Sequence, residues 1–174
     1  MTEGPCSYCP TVLDTKGIHH CSCTGGGDIT GRHNEIRNKL NNCASRGRSN
    51  PELDEMGLLD EPVVMVSLRR PADVLVDGSA QAPGSFRKVA WHVKVINALG
   101  VDHRDATLQS PLAAADAYRL SALEHQDTAN LCAEKGIKYE PLVFTSQGGI
   151  QRNAEAILSA LALAIARTEG KALA

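Results

Sequence analysis

Val89-Ala90-Trp91-His92-Val93-Lys94-Val95-Ile96 is the most β-prone run of the chain. Side chains alternate across a strand, so Val89, Trp91, Val93 and Val95 share one face. Ala90, His92, Lys94 and Ile96 share the other, which is either a site or a solvated edge. Upstream, Val63-Val64-Met65-Val66-Ser67-Leu68 and Ala72-Asp73-Val74-Leu75-Val76 read as two further strands, separated by Arg69-Arg70-Pro71. Gly78 to Ser85 carries Gly, Pro and Ser and is expected to turn. Downstream, Ser110-Pro111 predicts a helix start, with Ser110 as cap and Pro111 at the first helical position. That helix is expected to run to about Lys135 and stop at Gly136. Tyr139-Glu140-Pro141-Leu142-Val143-Phe144 is a fourth strand, and its proline suits an edge or a strand start.

Two more helices frame these elements. Ile36, Leu40 and Cys43 recur at helical spacing and predict a helix from Arg32 to about Ala44. After Gly148-Gly149, Ala154, Ile157, Leu158, Leu161, Ala162 and Ile165 form one apolar stripe. Arg46 to Glu61 reads as a loop. The order helix, three strands, helix, strand, helix predicts a compact α/β class: a small central mixed sheet flanked by helices.

Composition narrows the function classes. Of 174 residues, 43% are hydrophobic and 22% charged, and the net charge of −2 describes no basic nucleic-acid clamp. Aromatic residues make up only 3%, too few for a base-stacking surface. No run approaches the roughly 18 apolar residues of a membrane helix, so no membrane partner is expected. Met-Thr-Glu-Gly-Pro-Cys lacks a signal-like basic flank and apolar run, so the expected location is intracellular, nucleus or cytoplasm, and not secreted.

Cysteines are uneven: Cys6, Cys9, Cys21 and Cys23 cluster, while Cys43 and Cys132 stand alone. Clustered Cys and His in an intracellular chain argue for a metal before a disulfide. Two residues between Cys6 and Cys9 let both sulfurs converge on one ion. The preferred tetrahedral zinc set is Cys6, Cys9, His19 and Cys23, with His20 and Cys21 as competitors. Such a structural zinc would order the segment over residues 1–28, because site formation and folding coincide. The remainder divides into an α/β domain over 29–168 and a tail over 169–174.

These residues carry a resemblance. Cys6-x2-Cys9, Leu13-Asp14, Gly17-x-His19-x3-Cys23, Gly25-Gly26-Gly27 and Arg32-His33-Asn34 occur in that order. Arg70-Pro71-Ala72-Asp73-Val74, Tyr118, His125-x-Asp127-Thr128, Cys132, Gly136, Tyr139-x-Pro141-Leu142-Val143 and Gly148-Gly149 follow. The run resembles the C-terminal zinc motif and restriction-like endonuclease, PD-(D/E)xK, region of LINE-type (non-LTR) retrotransposon reverse-transcriptase polyproteins. The resemblance implies a restriction-endonuclease-like fold in which a carboxylate pair binds Mg and a lysine positions or activates water. Asp73 matches the first acid, Lys94 occupies the lysine place of a D/E-x-K pattern, and Glu35 on the first helix is a further carboxylate. The second acid is matched by His92, a poor Mg ligand. A lysine expected in the next helix falls at Ala122, and an acid before the Gly-Gly falls at Thr145. There is no Tyr-x-Asp-Asp polymerase signature.

Arg32, Arg37, Lys39, Arg46 and Arg48 outnumber Glu35 and Glu52 in their stretch. With His33, Asn34, Arg69 and Arg70 they make a candidate phosphate-contacting patch for DNA or RNA. The leading expectation is a retrotransposon-derived nucleic-acid-binding protein with a degenerate nuclease domain. Its alternatives are an active Mg-dependent DNA endonuclease and a zinc-dependent protein-interaction module without nucleic acid.

Overall fold

The structure is a computed structural model that describes residues 3–23, 25–26, 28–54, 58–59, 71–78 and 86–171. The strand expected over Val63–Leu68, together with Arg69, Arg70 and Gly27, lies outside the described residues.

The chain opens with strands β1 (Gly4–Pro5) and β2 (Val12–Leu13), paired antiparallel, and helix α1 (Ile18–Ser22). Helix α2 follows over Asp28–Arg46, starting four residues earlier than the apolar periodicity indicates. Half-buried Ile29 lies two turns ahead of Ile36 on the extended part of the helix. Strands β3 (Glu52–Leu53), β4 (Val74–Asp77), β5 (Lys88–Ile96) and β6 (Ile137–Thr145) form a sheet in the order β3-β4-β5-β6. The first two pairings are antiparallel and β5–β6 is parallel, so the sheet is mixed. A two-residue strand thus interrupts the stretch expected as loop.

A parallel pair needs a crossover, and it is supplied by α3 (Arg104–Gln109), α4 (Ala113–Glu124), a single 3-10 turn at His125–Asp127 and α5 (Thr128–Glu134). The single helix expected here is therefore broken. Gln126 and Asp127 adopt left-handed backbone, φ 51° and 56°, which ends one helix and redirects the next. Ser110 closes α3 rather than capping α4. Helix α6 (Arg152–Glu169) ends the fold, its start capped by the Gln151 side chain accepting from the Asn153 and Ala154 amides.

The alternation along β5 dictates the layers. Val89, Trp91 and Val93 pack with Leu40 and Ala44 of α2 and with Ala154 and Leu161 of α6 on one side of the sheet. Ala90 packs with Cys132 and Tyr139, and Ile96 with Ala114 and Ala115, beneath the crossover helices on the other. Trp91 is fully buried. Ala162, placed on the apolar stripe by spacing, is exposed, and Ala166 is buried instead. Pro141 sits in β6, which among the described strands pairs with β5 alone, an edge position that tolerates a residue without an N–H. No helix of the described residues is long and apolar enough to cross a membrane.

Candidate functional site

Two constellations stand out, one at the N-terminus and one where the sheet runs out of strand. The first begins at Asp14. Its carboxylate accepts the backbone N–H groups of Lys16, Ile18 and His19 at 2.9, 3.0 and 2.7 Å. The His19 and Ile18 amides hold the Asp14 carboxyl below its usual range against the opposing effect of burial. This cap starts α1 after Gly17, whose φ of 72° suits a residue without a side chain, and it orients His19. His19 Nε2 then lies 3.2 Å from Cys9 Sγ, and Cys6 Sγ lies 3.7 Å from Cys23 Sγ.

The ligand atoms of Cys6, Cys9, His19 and Cys23 all fall within 4.8 Å of one another, so the four could hold a metal ion. Among the described residues no other group of three or more such side chains is placed to share one. Sulfurs bound tetrahedrally at about 2.3 Å stand roughly 3.8 Å apart, close to the 3.7 Å found between Cys6 and Cys23. The Tyr8 N–H and the His19 side chain pull the Cys6 thiol down to about 6, toward the thiolate a metal needs. Cys21 and His20 fall outside this group, and exposed His20 lines a different cavity. With four protein ligands the site is closed, which suits structure rather than catalysis.

The module is docked. Arg32 Nη2 donates to the Cys21 carbonyl at 2.7 Å and Asn97 Nδ2 to the Ile18 carbonyl at 2.9 Å, tying it to α2 and to the end of β5. A Cβ on Gly25 would fall 2.2 Å from the Tyr8 carbonyl oxygen. Gly25 is there for close packing against Tyr8.

The second constellation follows from β4 being short. It pairs with β5 only from Lys88 to Trp91, so no described strand residue meets Val93 on that side. Asp73, one residue ahead of β4, fills the notch, and its Oδ2 accepts the Val93 N–H at 2.6 Å. Its two oxygens also meet two histidines: His33 Nε2 of α2 at 3.3 Å on Oδ1, and His92 Nδ1 of β5 at 3.2 Å on Oδ2. Burial pushes the Asp73 carboxyl up, but His92, the Val93 amide and His33 together leave it below its usual range. The His92 ring stacks on Tyr139 of β6, centroids 6.2 Å apart. Burial raises the Tyr139 hydroxyl well above its usual range and keeps it protonated.

Lys94, two residues along the same face as His92, holds its Nζ 5.5 Å from the centre of the Tyr118 ring. A cavity of 250 Å³ lies against this face, lined by His92, Tyr118, Ser121, Ala122, His125 and Tyr139. A second, of 170 Å³, is lined by His33 and Lys94 with Ile29, Thr30 and Val95.

Asp73, His92, His33 and Lys94 are thus neighbours, but Glu35 is not. Glu35 is exposed, pairs with Lys39 at 2.9 Å one helical turn on, and lines a cavity with His20 and Arg32. Arg37 pairs with Asp54 at 2.8 Å, Arg46 with Glu169 at 2.6 Å, and Asn34 is half-buried on α2. Sequence reasoning placed His33 in a phosphate patch; its contact with Asp73 joins residues forty apart, and only the Arg-His-Asn and Pro-Ala-Asp motifs hinted that both mattered. His125 and Tyr139 were noted as motif residues without a site. A scan against protein-family models found no match to this chain, and a search of curated proteins found no similar sequence.

Proposed function

We propose that this chain is a zinc-stapled nucleic-acid-binding protein on a degenerate restriction-like endonuclease core of the LINE-type retrotransposon kind. One observation carries the reading. The cleft around Asp73 gathers His33, His92 and Lys94, while Glu35 stays outside. A Mg site calls for hard oxygen ligands; one carboxylate shared by two imidazoles beside a lysine suits a phosphate anion better. The strand order, with β5 and β6 parallel across a helical crossover and α2 ahead of the sheet, supports the restriction-like core. Three thiolates and one imidazole, closed and tetrahedrally spaced, suit Zn.

Exposed Lys39–Glu35 and Arg46–Glu169 pairs contribute little to stability, so their cations can be traded to phosphates. The same pairs favour a second reading, a zinc-dependent protein-interaction module without nucleic acid. Electrophoretic shift of labelled duplex and hairpin DNA and RNA separates the two. Binding that weakens steeply with salt is the expected result, and a shift that is absent or indifferent to salt overturns it in favour of the second. Plasmid incubated with Mg should be nicked poorly. Strong nicking abolished in Asp73→Ala would replace this proposal with an active endonuclease. Metal analysis of the purified chain should find about one Zn; finding none defeats the zinc assignment.

A further inference from the structure

We infer that the cavity beside Asp73 is a metal-independent RNA-cleaving site, in which His92 and His125 act as the base and acid of a phosphodiester transesterification. The inference rests on the nucleic-acid reading above and adds the substrate class and the chemistry.

His92 is arranged as a general base is arranged elsewhere. Its Nδ1 faces the Asp73 carboxylate at 3.2 Å and its ring is stacked on Tyr139. With the Nδ1 proton directed at Asp73, Nε2 is the nitrogen left to accept a proton. A carboxylate at Nδ1 fixes the tautomer and stabilises the imidazolium that forms when Nε2 takes a proton. Asp73 is therefore a positioning residue.

His125 lines the same cavity as His92 from the opposite element. It does so because the crossover helix breaks there: His125 closes α4, Gln126 and Asp127 turn left-handed, and the Thr128 hydroxyl donates to the His125 carbonyl at 2.8 Å. An unbroken helix would carry the side chain elsewhere. Lys94, on the His92 face and against Tyr118, provides a fixed cation for the charge that develops on the phosphoryl oxygens.

The reaction these groups suit is internal. The ribose 2′-hydroxyl gives its proton to His92 Nε2, and its oxygen forms a bond to the adjacent phosphorus. The bond from phosphorus to the 5′-oxygen breaks, and that oxygen takes a proton from His125. The products are a 2′,3′-cyclic phosphate and a 5′-hydroxyl end; nothing is oxidised or reduced and no metal is consumed. Two imidazoles in opposite protonation states serve this step where two carboxylates and Mg serve hydrolysis. DNA, having no 2′-hydroxyl, cannot follow this route.

The test uses the full zinc-loaded chain in buffer without added divalent ions, with a fluorescent RNA hairpin and its all-deoxy counterpart. Expected is cleavage of the RNA alone, leaving 2′,3′-cyclic phosphate ends. His92→Gln and His125→Gln should each lose about 100-fold in single-turnover rate at saturating RNA, the scale of one acid–base group. Asp73→Asn should displace the base limb of the pH–rate profile measured at saturating RNA, which a purely structural role would not do. The groups facing His92 that shape the profile are Asp73, His33, Lys94, Tyr118, His125 and Tyr139. RNA bound but uncut overturns this inference and leaves the binding proposal standing. So does equal cutting by wild type and both glutamine variants, which marks a contaminant. Failure to bind RNA or DNA overturns both. Should His92→Gln not fold, exposed His125 decides the matter alone.

Discussion

Asp73 shows how much one residue can be asked to do. Its carboxylate replaces a missing strand partner for the Val93 amide and holds two histidines from different elements. Because its folded pKa lies below the ordinary value of about 3.9, ionised Asp73 stabilises the fold at pH above that ordinary value. The contribution is lost as pH falls through the depressed folded value. Urea unfolding of the wild type should therefore weaken on acidification below about pH 4. Asp73→Asn should be less stable at pH 7 by about 1–3 kcal/mol, the scale of a charged hydrogen bond lost from a buried site, and should flatten the acid slope. An acid slope unchanged by the substitution would remove Asp73 as its source. Pro71-Ala72-Asp73 marked this residue in the sequence, but its partners did not follow, since nothing local to Asp73 names His33 or His92.

At the scale of elements, the N-terminal module and the crossover behave differently. Among residues 3–23 only Cys23 joins the buried apolar set, so the order of this module rests on a few ties to the body and would rest further on an ion held by the Cys6, Cys9, His19 and Cys23 group. Cys9→Ser, or stripping the metal with a chelator, should expose residues 3–23 to protease while the sheet and its helices stay protected. Proteolysis of the whole chain at equal rate would show instead that the body depends on the module. Arg32, read from sequence as a phosphate contact, is one of the ties, donating to the Cys21 carbonyl. Spacing preferred His19 and left His20 open as a competitor; the Asp14 cap is the physical reason that His19 joins the cysteines. The helical break at Gln126–Asp127 was not legible: neither residue is Gly or Pro, and the left-handed turn is paid for by contacts made on either side of it.

The whole molecule rests on the layer between β5 and the helices α2 and α6. Leu161 is buried there with Trp91, the single tryptophan, so Trp91 emission reports this core. Leu161→Ala should cost about 2–5 kcal/mol, the scale of a large-to-small change in a packed interior, with the emission transition moving to lower urea in step. A cost under about 1 kcal/mol would mean the layer relaxes around the gap. Metal removal, by contrast, should leave Trp91 emission where it is. By itself the sequence determined the alternation of β5, the apolar stripes of α2 and α6 and the cluster of Cys and His that could hold a metal ion. Each is a local pattern, written in the spacing of neighbouring residues. Only the tertiary structure decided where β4 stops, which amide Asp73 must satisfy, that His33 and His92 meet at Asp73 while Glu35 does not, and that His92 and His125 line one cavity. Those facts depend on the register between segments twenty to forty residues apart, and register is set by packing the whole core at once.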